Sequence, residues 1–96
     1  MKSIMQDDQR CWFCGRSFQL ERHHVMAGVA NRPLSERYGL WIWCCHLCHT
    51  GKFGVQYNRE KSDRLKAAAQ QAFEEVYGHD RWMQTFRKNY AIKTEE

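Results

Sequence analysis

Two Cys-x2-Cys pairs constrain this chain more than any other feature. Cys11 and Cys14 stand near the start, Cys45 and Cys48 near the middle, with thirty residues between the pairs. Two thiolates so spaced on a tight turn or a helix start grip one ion, and tetrahedral zinc takes four thiolates in such paired sets. Gly15, directly after the first pair, permits the left-handed backbone that a tight turn needs. The long gap exceeds that of an ordinary zinc ribbon, so it must hold structure of its own. A fifth thiol, Cys44, lacks the two-residue spacing to Cys48 and reads as a buried thiol at a strand end.

A chain of 96 residues makes one domain with a marginal core, and small domains usually need a staple, whether disulfides or a metal. The polar segment Met1 to Arg10 lacks a signal peptide's apolar stretch, and the run Gly39 to Cys45 is too short to span a membrane. A cytoplasmic protein is therefore expected, and five cysteines in a reducing compartment point to metal or catalysis rather than disulfides. The net charge of +4 is unevenly spread. Residues 10 to 66 carry ten Lys or Arg against four Asp or Glu, while the rest of the chain carries five against seven. The basic excess surrounds the cysteines and suits a polyanionic partner such as nucleic acid, or forms an ordinary solvated face.

The expected architecture is α+β. Residues 1–9 read as a flexible or loosely docked tail ahead of a single domain over 10–96, with a metal core over 11–58 and C-terminal helices over 59–90. Ser17 to Val25 and Tyr38 to Cys44 are expected as strands, the second with Leu40, Trp41, Ile42 and Trp43 buried on both faces. Ala27 to Arg37 reads as a loop broken by Gly28, Asn31 and Pro33. A short helix is expected over 45 to 51, closed by Gly51 or Gly54. Residues 59 to 77 give the clearest helix: Leu65, Ala68, Ala69, Ala72, Phe73, Val76 and Tyr77 follow its period, and Gly78 stops it. Asp80 would cap a last helix burying Trp82, Phe86 and Tyr90.

Between the cysteine pairs lies His23-His24, and His49 directly follows Cys48. Neighbouring side chains in an extended segment point to opposite faces, so the two adjacent histidines divide their labour: one ligates a metal, the other meets substrate. The set Cys11-x2-Cys14, Arg22-His23-His24-Val25, Tyr38-Gly39-Leu40 and Cys45-x2-Cys48-His49 resembles the HNH endonucleases, whose ββα-metal motif is two strands and a helix around one divalent ion. It is most similar to the small HNH proteins of phages and prophages, a likeness extended by Gly54-Val55-Gln56-Tyr57-Asn58 and by the helix ending at Tyr77-Gly78. The resemblance covers most of residues 11 to 90.

The resemblance implies a zinc-stapled ββα-metal domain that hydrolyses DNA phosphodiester bonds, nicking or cutting. His24 would be the general base, while His23 and His49 would hold a magnesium or manganese ion, apart from the structural zinc of Cys11, Cys14, Cys45 and Cys48. Physical chemistry requires the same parts: a base of near-neutral pKa to deprotonate water, and a cation with open positions for substrate oxygens. Arg22, Arg32, Lys52 and Arg59 are candidate phosphate contacts, each equally readable as surface charge. Partners implied by the family are DNA and phage packaging or recombination proteins, with the chain a monomer or homodimer.

Two departures stand out. The family's middle Asn is missing from Tyr38-Gly39-Leu40; Asn31 and Asn58 are candidate substitutes, Asn58 more readily as the N-cap of the long helix. Gln56 stands where such relatives often carry His. His46 competes with His49 as the helical ligand, and His79 reads as a surface residue. Cys45-His46-Leu47-Cys48-His49 also matches the haem-attachment string C-x-x-C-H, but that chemistry needs export and leaves Cys11 and Cys14 without a role. The competing functional reading is a non-catalytic zinc module that binds nucleic acid or protein, with His23 and His24 merely structural.

Overall fold

The computed structural model describes residues 2–50 and 58–91. It is a small α+β arrangement: β1 (Leu20–His24), α1 (Asn31–Tyr38), β2 (Trp41–Cys45), α2 (His46–Thr50), α3 (Arg59–Tyr77) and α4 (His79–Phe86). The strands pair antiparallel, with Leu20 opposite Cys45, Arg22 opposite Trp43 and His24 opposite Trp41. Opposed residues share a face of the sheet. One face therefore carries Leu20, Arg22, His24, Trp41, Trp43 and Cys45, and the other carries Glu21, His23, Ile42 and Cys44.

Tyr38 and Gly39 do not belong to the second strand as expected. The stretch read as a loop is helical from Asn31, because Pro33 sits in the first turn, where the backbone N–H lacks an intrahelical partner anyway. Gly39 ends α1 in the left-handed region at φ 71°, its N–H reaching Ser35 O. A Cβ there would overlap the backbone carbonyl of Lys2, so glycine is required twice over. The buried Ser35 hydroxyl donates to Met26 O (2.8 Å) and accepts from Met26 N (3.0 Å), clamping α1 to the exit of β1.

Within the segment expected as a tail, Ser3 to Gln6 are docked, while Asp7 to Gln9 are exposed. Ile4 N–H donates to Gly39 O, the Ser3 hydroxyl to Trp41 O, and Trp43 N–H to the Gln6 side chain (2.9 Å). Trp12 N–H adds a bond to Trp43 O. Side chains and backbone of this segment thus close the edge of β2 that β1 leaves open. Gln6 and Ser3 do this through side chains, which leaves no strand-like pattern in the sequence.

The main core joins Leu40 and Ile42 to Val25, Met26, Tyr38, Leu65, Ala69, Phe73, Trp82 and Phe86. Phe73 meets Tyr38, Trp82 and Phe86 edge-on, with ring centroids 5.1–5.9 Å apart. The helix over 59–77 is as expected, yet its inward face is rotated: Ala67 and Gln70 are buried, while Val76 is exposed. Gln70 is buried because its amide accepts from Tyr90 N and donates to Asn89 and Glu74, pinning the segment after α4. Asn58 caps α3 by accepting from Lys61 N (3.0 Å). Gly78, not Asp80, is the N-cap of α4, and Asp80 lies inside the first turn, where its charge suits the helix dipole. No helix among the described residues is long and apolar enough to cross a membrane.

Candidate functional site

The first cysteine pair sits on a tight turn. Cys11 N–H donates to Arg16 O, Gly15 N–H donates to Cys11 O, and Gly15 is left-handed at φ 78°. Cys45 ends β2 and Cys48 lies in α2, so strand and helix deliver the second pair. The four Sγ atoms of Cys11, Cys14, Cys45 and Cys48 all lie within 4.8 Å of one another, with Cys14 and Cys45 3.6 Å apart. A tetrahedral zinc with Zn–S of about 2.3 Å would hold its sulfurs about 3.8 Å apart, so the cluster fits a structural metal such as zinc.

Ionisation within the cluster tells the same story. Burial opposes a thiolate at Cys11, but hydrogen bonds from the backbone of Cys45, Cys14 and Phe13 win and lower its pKa to about 6. Burial and the neighbouring thiols push Cys48 far up. One proton leaves easily and later ones do not, because thiolates this close repel; a dication removes that repulsion. Cys44 is fully buried, and burial raises its pKa to about 12, so it stays a neutral thiol in the strand.

The histidines divide across the sheet. His23, half-buried, faces His49 of α2 with ring centroids 4.9 Å apart and planes at 64°. Burial, then the nearby His49 and His24, lowers the His23 pKa to about 4, so the imidazole is neutral at physiological pH. His49 Nδ1 lies 2.8 Å from Glu21 Oε1, and His46 Nδ1 lies 3.2 Å from Glu21 Oε2. The His49 side chain is 19% exposed against 65% for His46, which favours His49 as the sheltered partner of His23. Hydrogen bonds from His49 and His46 hold the Glu21 carboxyl below its usual range.

On the opposite face His24 Nε2 lies 2.8 Å from Glu36 Oε2. Ionised carboxylates only accept, so Nε2 carries the proton and Nδ1 presents the lone pair. Arg22 donates to the other oxygen of Glu36 at 2.7 Å and stacks over Trp41, 3.9 Å from the ring centroid. The hydrogen bond from His24 and the charge of Arg22 depress the Glu36 pKa. An open cleft lined by Arg22, His24, Gly28, Val29, Arg32, Pro33 and Glu36 lies against this pair. Two guanidinium side chains beside an imidazole suit a phosphodiester.

Of the other expected site residues, Asn31 begins α1 and Asn58 serves as a helix cap. Arg59 pairs with Asp63 at 3.8 Å along α3 and is not among the residues lining the cleft. His79 pairs with Glu74 at 2.9 Å. Lys52, Gln56, Gly51 and Gly54 lie outside the described residues. Among the described residues, the four-cysteine set is the one group of three or more candidate ligands whose donor atoms converge within 4.8 Å.

The sequence reading missed both glutamates. Glu21 had a signal, since it stands two residues before His23 and so shares its face. Glu36 had none, because it reaches His24 from a helix that was read as a loop. No family model matches the chain, and no curated protein or solved structure matches it either. The likeness to HNH endonucleases rests on the motif residues themselves.

Proposed function

We propose that this protein is a metal-dependent endonuclease of the HNH type that hydrolyses DNA phosphodiester bonds. The observation that carries the reading is the division of the His pair. His23 faces His49 on one side of β1, while His24 is held by Glu36 in a cleft with two arginines on the other. The succession of an antiparallel strand pair and a helix bearing His49 supports it.

In this reading His23 and His49 would hold a magnesium or manganese ion, and the chemistry it would supply is stabilisation of negative charge. His24 Nδ1 takes a proton from water. The water oxygen forms the new P–O bond as the bond to one sugar oxygen breaks; that oxygen takes its proton from a solvent water, and His24 returns its proton to solvent. Glu36 keeps the imidazole oriented and stabilises its charged form. Arg22 and Arg32 bind the flanking phosphate oxygens. Cys11, Cys14, Cys45 and Cys48, whose sulfurs converge, would hold a structural zinc, and such a staple would fix α2, and hence His49, against β1. So small a domain leaves specificity to a partner, such as a phage packaging or recombination assembly, or to DNA structure.

One observation favours a second reading, a non-catalytic zinc module that binds nucleic acid: only the cysteines form a tight multi-donor set among the described residues. Plasmid cleavage by the zinc-loaded protein, with magnesium, with manganese or with neither, separates the two. Divalent-dependent nicking that vanishes in a folded His24→Ala supports the nuclease. Intact plasmid under every condition, with one zinc per chain and DNA still bound, supports the module.

A further inference from the structure

We infer that Glu21 is a positioning residue that fixes the tautomer and orientation of His49 toward His23. The inference rests on the nuclease reading for its purpose, though not for its geometry. Glu21 and His23 lie two residues apart on one face of β1, where α2 packs. Glu21 Oε1 lies 2.8 Å from His49 Nδ1. A carboxylate only accepts, so His49 must donate through Nδ1–H. Its Nε2 then carries the lone pair, on the ring that meets His23 at 4.9 Å. Histidines that ligate metals commonly give their other N–H to a carboxylate in this way, which sets the tautomer and raises basicity at the ligating nitrogen.

The second carboxylate oxygen accepts from His46 Nδ1 at 3.2 Å. Glu21 thus holds α2 at two points, and the exposed His46 serves as its outer prop. Both oxygens are occupied by imidazoles, and Glu21, His23 and His49 do not bring three donor atoms within 4.8 Å of one another. Glu21 is therefore placed to hold a ligand rather than to be one.

The test uses the full chain with zinc bound, as wild type, Glu21→Gln and Glu21→Ala. Histidine-labelled nitrogen NMR without added magnesium or manganese reads the tautomer. His49 is expected as Nδ1–H in the wild type and in Glu21→Gln, whose amide oxygen still accepts, and to turn toward Nε2–H in Glu21→Ala. Calorimetric titration with manganese should show affinity 10- to 100-fold weaker in Glu21→Ala, on the order expected for such outer partners, and a smaller loss in Glu21→Gln, which keeps the acceptor but not the charge. One zinc per chain in every variant certifies the fold. Persistence of Nδ1–H in Glu21→Ala overturns the inference, and so does manganese affinity falling as far in Glu21→Gln as in Glu21→Ala, which would make Glu21 a ligand. A wild type that binds no manganese counts against the nuclease reading alone, and the tautomer then decides the role of Glu21.

Discussion

The cysteine cluster and the histidines lie against the same strand pair but are brought together by opposite means. The cysteines come in local pairs, one on a tight turn and one across the junction of β2 with α2, and converge on one point. His23 and His24 lie on opposite faces of β1 and His49 stands on α2; Glu21 of β1 holds His49, and Glu36 of α1 holds His24. The cluster can be specified by spacing alone. The histidines need the rest of the domain to be in place first. The first site should therefore govern whether the chain folds, and the second what the folded chain does.

The sharpest way to break that division is at the cysteines. Cys45→Ala should lose zinc and the cooperative melt together, because metal binding in such sites is itself folding energy, of about 10–16 kcal/mol apparent in isolated zinc-finger peptides. Cys44→Ala, one residue away but facing the other side of the strand, should keep one zinc per chain and lose only about 1 kcal/mol of packing. Zinc stoichiometry and thermal unfolding followed by circular dichroism read both. A zinc-free but cooperatively melting Cys45→Ala would show that the aromatic core around Phe73 suffices alone.

At the histidines the expectation reverses. His24→Ala should leave zinc and melting nearly unchanged while nicking falls about 10²- to 10⁴-fold, the usual contribution of a positioned general base. Equal losses of stability and activity would place His24 in the framework rather than in the chemistry.

This asymmetry also explains what was legible in the sequence. The cysteine set, the left-handed Gly15 and the helix over 59–77 depend on spacing and period, and each is found where the residues placed it. The strand pair was legible, though both strands are shorter than the stretches Ser17 to Val25 and Tyr38 to Cys44. Helix α1 was not, because Pro33 reads as a breaker until its place in a first turn is known. The docked N-terminal segment was hidden because Ser3 and Gln6 close a sheet edge through side chains. Buried Gln70 broke the apolar stripe of α3 because partners nineteen and twenty residues away satisfy its amide. Apart from α1, what escaped reading was a polar group whose partner is distant in sequence, and the site's two glutamates belong to that class.

A subtler contrast concerns pH. His23 is neutral in the fold, its pKa lowered from 6.5 to about 4 by burial and the adjacent imidazoles. As pH falls from about 6.5 toward 4, the unfolded chain takes up a proton there that the folded chain refuses. Stability is then lost on acidification and regained as pH rises, by at most about 1.4 kcal/mol per pH unit. His23→Asn should flatten this slope between pH 7 and pH 5 in denaturant titrations, with the zinc contribution common to both proteins. Parallel slopes would mean that His23 is better hydrated than its packing against His49 implies.

The smallest expected effect falls on Asn58, which has two candidate roles. Its side chain accepts from Lys61 N at 3.0 Å, satisfying one of the N–H groups orphaned at the start of α3. If capping is its whole role, Asn58→Ala should cost about 1 kcal/mol and Asn58→Asp or Asn58→Ser almost nothing, with nicking rates unchanged in all three. If Asn58 instead stands in for the family's missing Asn, activity should fall in all three while stability falls only in the alanine variant. The cap geometry favours the first outcome, because the carbonyl oxygen that would steady a catalytic loop is already engaged by the helix. At the exit of β1 two side chains of α1 are already engaged, Glu36 with the His24 ring and Ser35 with the backbone of Met26.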